Sequence, residues 1–128
     1  MTVLLVDVAN VVGSRPDGWW RDRAGATTRM LARLAALPGR TVAGPDGRSL
    51  VISGVTAVVE GQARAADDPG GVTVVRAEGS GDDTVAALAA AEDLLVVTAD
   101  RGLRDRLPDG TPVAGPGWLL ALLDDGGA

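Results

Sequence analysis

Short, uninterrupted apolar runs alternate along this chain with segments whose apolar residues recur at helical spacing. Runs of this kind are typical of strands buried on both faces of a parallel sheet. They predict strands over residues 3–6, 50–59, 72–75, 94–98 and 112–114. The last of these contains Pro112, which is tolerated at an edge of a sheet, so it is predicted to be an edge strand.

Helical spacing follows the first strand. Apolar or small residues at positions 20, 24, 27, 31 and 34 predict an amphipathic helix that begins at Trp19 or Trp20 and ends at Pro38-Gly39. This periodicity favours Trp20 as a core residue. Further helices are predicted over 82–91, 100–107 and 117–123, with a short helix or loop over 62–68.

The segments between these elements carry glycine and proline. Residues 11–18 and 38–48 are predicted to be loops, and residues 124–128 a disordered tail. The alternation of strands and helices predicts one α/β domain over residues 1–123. Its expected architecture is a three-layer α/β/α sandwich around a mostly parallel sheet.

Composition excludes several kinds of chemistry. The 128 residues include no Cys, no His and no Lys, so thiolate sites, imidazole bases and lysine-based phosphate or Schiff-base chemistry are ruled out. The net charge of −5 argues against a general polyanion-binding surface but allows a local arginine patch. No apolar run approaches the length of a membrane span, so a cytoplasmic protein without membrane association is expected.

Acidic residues lie just beyond several predicted strands. Asp7, Glu60, Asp82 and Asp100 all occupy such positions. Open α/β proteins bind ligands at the carboxyl edge of the sheet, so these carboxylates are expected to share one crevice. Carboxylates gathered together repel one another, and a hard divalent cation with oxygen ligands is the usual compensation. The pattern predicts an enzyme of metal-dependent phosphate chemistry.

Each acidic residue also has a purely structural interpretation. Asp7 and Asn10 could form a turn, and Asp100 could cap the helix that follows it. Of Asp82 and Asp83, one could cap a helix while the other reaches the crevice, and spacing does not decide between them. Since these residues occur together, the functional interpretation is favoured.

Two glutamates are candidates for the acidic residue that follows the strand predicted over residues 50–59. Glu60 follows that strand directly, whereas Glu78 follows the next strand and precedes a glycine pair. A single glutamate at a strand end is usually solvated, so either residue could be a ligand or a surface group.

Arginines are concentrated on the first loop and helix, at positions 15, 21, 23, 29 and 33. Such a stripe is most often solvated surface. Here it begins beside the predicted crevice, so Arg15, Arg21 and Arg23 are candidate RNA or phosphate contacts, as is Arg101 next to Asp100. The adjacent Trp19 and Trp20 could stack on bases.

Three short motifs together resemble the PIN-like nuclease superfamily, and within it the NYN group with its YacP-like bacterial ribonucleases. They are Leu-Leu-Val-Asp7-x-x-Asn10, Gly-Ser-Gly-Asp82-Asp83-Thr-Val, and Val-Val-Thr98-Ala-Asp100-Arg101-Gly-Leu. The resemblance extends from Leu4 to about Leu107.

The resemblance implies a Mg²⁺- or Mn²⁺-dependent phosphodiesterase that acts chiefly on RNA. Its catalytic residues would be Asp7, Asn10, Asp82 and Asp100. Its metal ligands would be Asp7, Glu60, Asp82, Asp83 and Asp100, with Glu60 at a position where nearer relatives tend to have aspartate.

Other functions and partners stay open at this point. The same fold could serve as a catalytically silent RNA- or nucleotide-binding module, or as the toxin of a toxin–antitoxin pair; association with an antitoxin or the ribosome is undetermined. The apolar Trp118-Leu119-Leu120 segment could belong to the core or form a homodimer contact.

Overall fold

The structure is a computed structural model that describes residues 1–15, 18–91 and 93–126, with the backbone alone for 125 and 126. Its strands are β1 (Thr2–Asp7), β2 (Thr41–Ala43), β3 (Ser49–Val59), β4 (Thr73–Arg76), β5 (Leu94–Val97) and β6 (Val113–Ala114). Its α-helices are α1 (Val8–Gly13), α2 (Arg23–Leu34), α3 (Gly81–Leu88), α4 (Arg101–Asp105) and α5 (Pro116–Gly126). Short 3₁₀ helices span Trp19–Arg21 and Gly61–Ala65.

The strands form one mostly parallel sheet in which β1 lies between β3 and β5. Parallel pairs join β1 to β3 and β5, β3 to β4, and β5 to β6. The exception is β2, which pairs antiparallel with the first residues of β3. The parallel strands therefore end at the same edge, as the apolar runs predicted.

Helices cover both faces of the sheet. Alternate residues of β1 point to opposite faces, because side chains in a strand alternate. Leu4 and Val6 belong to the larger apolar cluster, which includes residues of α1, α2 and α5. Leu5 belongs to the smaller cluster, with Val85 of α3 and Leu103 of α4. The predicted α/β class with a three-layer arrangement is confirmed.

The first connection differs from the sequence prediction. Residues 8–13 form α1 rather than a loop, and Val8, Val11 and Val12 are buried. The three valines are spaced by three and four positions, so this short helix buries them on one face. Residues 16 and 17 of the predicted loop lie outside the described part of the chain.

The long helix predicted from Trp19 or Trp20 is broken in two. Asp22 has an extended backbone and its Oδ1 accepts a hydrogen bond from Gly25 N–H at 2.9 Å, which makes it the N-cap of α2. The preceding residues form the separate 3₁₀ turn. Because of this break Trp20 is 52 % exposed, while Trp19 packs against the core. The prediction of Trp20 as a core residue is wrong.

Two further segments are more ordered than predicted. Part of the loop predicted over 38–48 forms β2, which makes a hairpin with β3. The tail predicted from Asp124 is helical as far as Gly126, and residues 127 and 128 lie outside the described part. Asp124 pairs with Arg15 at 2.8 Å and with Arg33 at 2.9 Å. Hydrogen bonds from Arg33 and Arg15 hold the pKa of Asp124 below its usual value.

The apolar segment at the start of α5 belongs to the core. Leu119 and Leu120 are buried in the larger cluster, and Trp118 packs against it. The indole Nε1 of Trp118 also donates a hydrogen bond to the carbonyl oxygen of Ala43 at 3.0 Å. Packing against the sheet thus accounts for the hydrophobicity of this segment.

Two leucines of α5 give a matched test of this packing. Leu119→Ala removes a fully buried side chain and is expected to lower the free energy of unfolding by about 2–5 kcal/mol. Leu122→Ala on the same helix, where the side chain is half-buried, should cost clearly less. Urea denaturation of both variants measures this, and equal losses would contradict the placement of α5.

Candidate functional site

The carboxyl ends of β1, β3 and β5 and the beginning of α3 surround an open crevice of about 290 Å³. All of the predicted catalytic residues line it. The lining consists of Asp7, Ala9, Asn10, Glu60, Ser80, Asp82 and Asp100. The parallel sheet therefore brings together acidic residues that are up to 93 positions apart in the sequence, Asp7 and Asp100 being the most distant pair.

Asp7 is the most buried carboxylate of the crevice, with 5 % of its surface exposed. Thr98, which is fully buried, donates a hydrogen bond from its hydroxyl to Asp7 Oδ2 at 3.0 Å. Burial raises the pKa of Asp7 to about 6, opposed by the Thr98 hydrogen bond and reinforced by the negative charge of Asp82. A carboxylate with this pKa is costly to ionise without a nearby cation.

Thr98 links the two central strands at the site. Its Oγ1 accepts a hydrogen bond from Asp100 N–H at 3.1 Å while its hydroxyl proton goes to Asp7. The guanidinium of Arg104 donates to the Thr98 carbonyl oxygen at 3.0 Å. Neither Thr98 nor Arg104 was among the predicted site residues. A buried threonine directly after an apolar run was the available signal for Thr98.

Asn10 joins α1 to the segment that follows β5. Its Oδ1 accepts a hydrogen bond from Ala99 N–H at 2.7 Å, so the amide fixes the backbone between Thr98 and Asp100. Asn10 also lines the crevice. The side chain of Asn10 therefore has a positioning role across the β1–β5 seam.

Glu60, not Glu78, faces the crevice. Its Oε2 accepts a hydrogen bond from Gly81 N–H at 2.6 Å, at the N-terminus of α3. The absence of a side chain at Gly81 allows this approach, because a Cβ there would lie 3.0 Å from the Glu60 carboxyl carbon. Glu78 is exposed and does not line the cavity. The carboxylate of Glu60 thus holds α3 against the end of β3.

The two consecutive aspartates of α3 point to different surroundings. The cap of this helix is Ser80, whose Oγ accepts a hydrogen bond from Asp82 N–H at 3.1 Å. Asp82 lines the crevice, and its pKa is raised by burial and by the negative charges of Asp100 and Glu60. Asp83 instead pairs with Arg106 at 2.7 Å with its side chain 71 % exposed. The structure does not bring Asp83 into the predicted ligand set.

Asp100 caps a helix and also lies in the crevice. Its Oδ1 accepts a hydrogen bond from Leu103 N–H at 3.0 Å, so it caps α4, and its side chain also lines the crevice. Arg101, the predicted phosphate contact next to it, is exposed and outside the lining.

The other predicted RNA-binding arginines are divided among three places. Arg15 is paired with Asp124 of α5. The guanidinium of Arg21 lies 6.0 Å from the Trp20 ring, and that of Arg23 lies 5.3 Å from the Trp19 ring. Arg23 alone of these borders a cavity next to the crevice.

The carboxylate oxygens of the crevice are suitable ligands for a hard cation. Carboxylate oxygens are the ligands that Mg²⁺ and Mn²⁺ prefer. Burial, together with neighbouring carboxylates, raises the pKa of Asp7 and of Asp82, so a bound cation would favour their ionised forms. In the described part of the chain, no three acidic side chains lie close enough together to enclose an ion. Mg²⁺ usually keeps several waters and is held by one or two carboxylates, so an enclosed cage is not required.

Comparisons with known proteins bear on the fold. No protein-family profile and no curated protein matches the sequence. Among solved structures, the chain is similar to Rae1 (YacP) from Bacillus subtilis, determined as the W164L mutant. The TM-score is 0.69 at 18 % identity, over 99 % of this chain and 77 % of that one. The chain thus has a PIN-like α/β fold shared with Rae1. No helix in the described residues is both long enough and apolar enough to cross a membrane.

The buried Asp7 predicts a pH dependence of stability. Its pKa is raised from 3.8 to about 6 in the folded protein, so the folded form binds this proton more tightly than the unfolded chain does. The stabilisation from protonated Asp7 is fully present below the pKa of the unfolded chain. It is lost as the pH rises through the pKa of the folded protein. The loss amounts to at most about 3 kcal/mol between pH ~4 and pH ~6.

The measurement is chemical denaturation in EDTA across this pH range. Asp7→Asn should flatten the dependence and raise the stability of the metal-free protein at neutral pH relative to wild type. Asp83→Asn, which changes an exposed carboxylate outside the crevice, is the matched control and should keep the wild-type slope. A wild-type slope in the Asp7→Asn protein would show that Asp7 ionises normally.

Proposed function

We propose that this protein is a Mg²⁺- or Mn²⁺-dependent ribonuclease that hydrolyses phosphodiester bonds in the acidic crevice. The observation that carries the proposal is the convergence of Asp7, Glu60, Asp82 and Asp100 on one cavity at the carboxyl edge of the sheet. The PIN-like fold and the sequence resemblance to NYN ribonucleases support the choice of RNA as substrate. A chain without histidine also needs a chemistry that works through carboxylates.

The residues divide into ligands and positioning groups. Asp7 and Asp100 would hold the cation, with Asp82 and Glu60 on the opposite wall of the crevice. When bound, the cation would lower the pKa of a water molecule and neutralise charge on the scissile phosphate. Thr98 and Asn10 fix the β1 and β5 ends through their hydrogen bonds to Asp7 and Ala99.

Asp82 is the best-placed proton acceptor. It lines the same cavity as the proposed cation ligands. Its raised pKa makes the carboxylate a stronger base toward the proton of an attacking water. In the hydrolysis, the water oxygen bonds to phosphorus while the bond from phosphorus to the leaving ribose oxygen breaks. The proton lost by the water goes to the carboxylate, and the leaving oxygen takes a proton from solvent.

The wide spacing of the carboxylates favours a second candidate, an RNA-binding module without turnover. No three acidic side chains of the described residues form a ready cation cage, and such a protein would bind RNA with no product formed. The cleavage experiment below separates the two functions.

The cleavage test uses single-stranded and structured RNA with Mn²⁺ or Mg²⁺, and EDTA as the control. Wild type should release products only with the metal, and Asp7→Asn or Asp100→Asn should lower the rate at least about hundredfold. Asparagine can replace aspartate as a helix cap, so Asp100→Asn keeps α4 intact. Asp83→Asn should cleave like wild type. Intact RNA with wild-type protein, or unimpaired cleavage by both crevice variants, would refute a nuclease working at this site.

Cation binding is tested separately by thermal melting. A divalent cation that binds only the folded site stabilises it by about 2.7 kcal/mol at a hundred times Kd. Millimolar Mn²⁺ should therefore raise the Tm of wild type and of Asp83→Asn, and raise that of Asp100→Asn much less. In EDTA, Asp100→Asn should gain stability because one of the repelling charges is gone. The same Mn²⁺ response in all three proteins would place the cation elsewhere.

A further inference from the structure

A second cavity, of about 400 Å³, opens directly beside the acidic crevice. The two share Ala9 and Glu60 in their linings, so they adjoin at these residues and are together called the groove. The second cavity has a different character, because its other walls include Trp19, Arg23, Thr27 and Ala63. It combines an aromatic ring, one cation and small side chains, and it has no part in the hydrolysis described above.

The aromatic wall is held in place from several sides. Trp19 packs against the larger core cluster, and the ring of Trp20 meets it edge-on with centroids 6.0 Å apart. Gly13 lies close enough that an added Cβ would be 3.6 Å from the Trp19 ring. The guanidinium of Arg23 lies 5.3 Å from the centre of the same ring. The guanidinium therefore covers one face of the indole, and the flat surface that this pair presents to the cavity can stack on a nucleobase.

We propose that this cavity binds one unpaired nucleobase of the strand whose phosphodiester occupies the acidic crevice. The proposal rests on the proposed function. Because Ala9 and Glu60 border both cavities, adjoining parts of one nucleotide chain can occupy them together. Arg23 adds positive charge to the second cavity, away from Asp7, Asp82 and Asp100, so it can attract a phosphate of the bound strand.

The shape of the site favours a single strand. A base in a duplex has both faces stacked and offers only its edges in the grooves, so it cannot enter a cavity whose wall is an aromatic ring. Stacking also tolerates every base, since every base has a π face. The cavity therefore selects unpaired RNA and gives little sequence preference.

The test measures binding of the full chain to a short single-stranded RNA and to a set in which one base at a time is replaced by an abasic residue. Ca²⁺ replaces the catalytic cation, and a gel verifies that the RNA stays intact. One position should stand out with a loss of affinity of about tenfold, which is within the range for stacking of a base on an aromatic side chain. The same RNA annealed to its complement should bind more weakly.

Variants assign that loss to the cavity. Trp19→Leu and, independently, Arg23→Gln should weaken binding of the intact RNA. In either variant, the abasic replacement at the sensitive position should no longer lower the affinity. Arg29→Gln, at an exposed arginine of the same helix outside the cavity lining, should bind like wild type. Because Arg23 is exposed, Arg23→Gln should leave the fold intact. This variant therefore tests the base site even if Trp19→Leu does not fold.

The possible outcomes distinguish base binding in this cavity from RNA cleavage in the crevice. A uniform abasic series, or equal affinity of wild type and Arg23→Gln, overturns the base site even if the protein cleaves RNA. A position-specific abasic effect that disappears in Arg23→Gln supports the base site even if wild type forms no product. Preference for the duplex would also overturn it, because a paired base cannot reach the Trp19 ring.

Discussion

The burial of Asp7 at the end of the central strand is the constraint around which the rest of the site is arranged. The carboxylate is 5 % exposed, its pKa is about 6, and it faces further negative charge from Asp82. Burying such a group is unfavourable unless it has partners. The hydroxyl of Thr98 and the backbone of Asn10 stabilise the ionised carboxylate, and oxygen lone pairs remain for a ligand. An apolar residue at this position would stabilise the fold more, so the acid is best explained by chemistry.

Hydrogen bonds across the seam between β1 and β5 keep that group in position. Thr98 contacts both Asp7 and Asp100, and Asn10 accepts from the backbone between them. On the other wall, Glu60 accepts from the first residue of α3, where the absence of a Cβ at Gly81 lets the carboxylate approach. Apart from the local hydrogen bond between Asp100 and Thr98, these contacts join elements distant in sequence, so the rigidity of the crevice depends on the packing of the three layers.

The groove changes character along its length. The crevice is acidic and open, whereas the neighbouring cavity presents Trp19 and Arg23. A chain with a net charge of −5 has little general attraction for a polyanion. Under the proposed function, local contacts supply the affinity, from a cation at the carboxylates and from stacking at the aromatic wall. This division would allow an acidic protein to hold a nucleic-acid strand.

The sequence by itself determined every described strand except β2, the parallel arrangement and the carboxylates at the strand ends, because these follow from local apolar runs and from the position of a residue relative to its strand. Glu60 rather than Glu78, Asp82 rather than Asp83, and the separation of Trp19 from Trp20 were decided only by tertiary structure. In each pair both residues satisfy the same local pattern, and the choice depends on contacts with Gly81, Arg106 and the Asp22 cap. The same reason applies to α1 and to the end of α5, whose short segments become helical because they pack on the sheet or pair with Arg15 and Arg33.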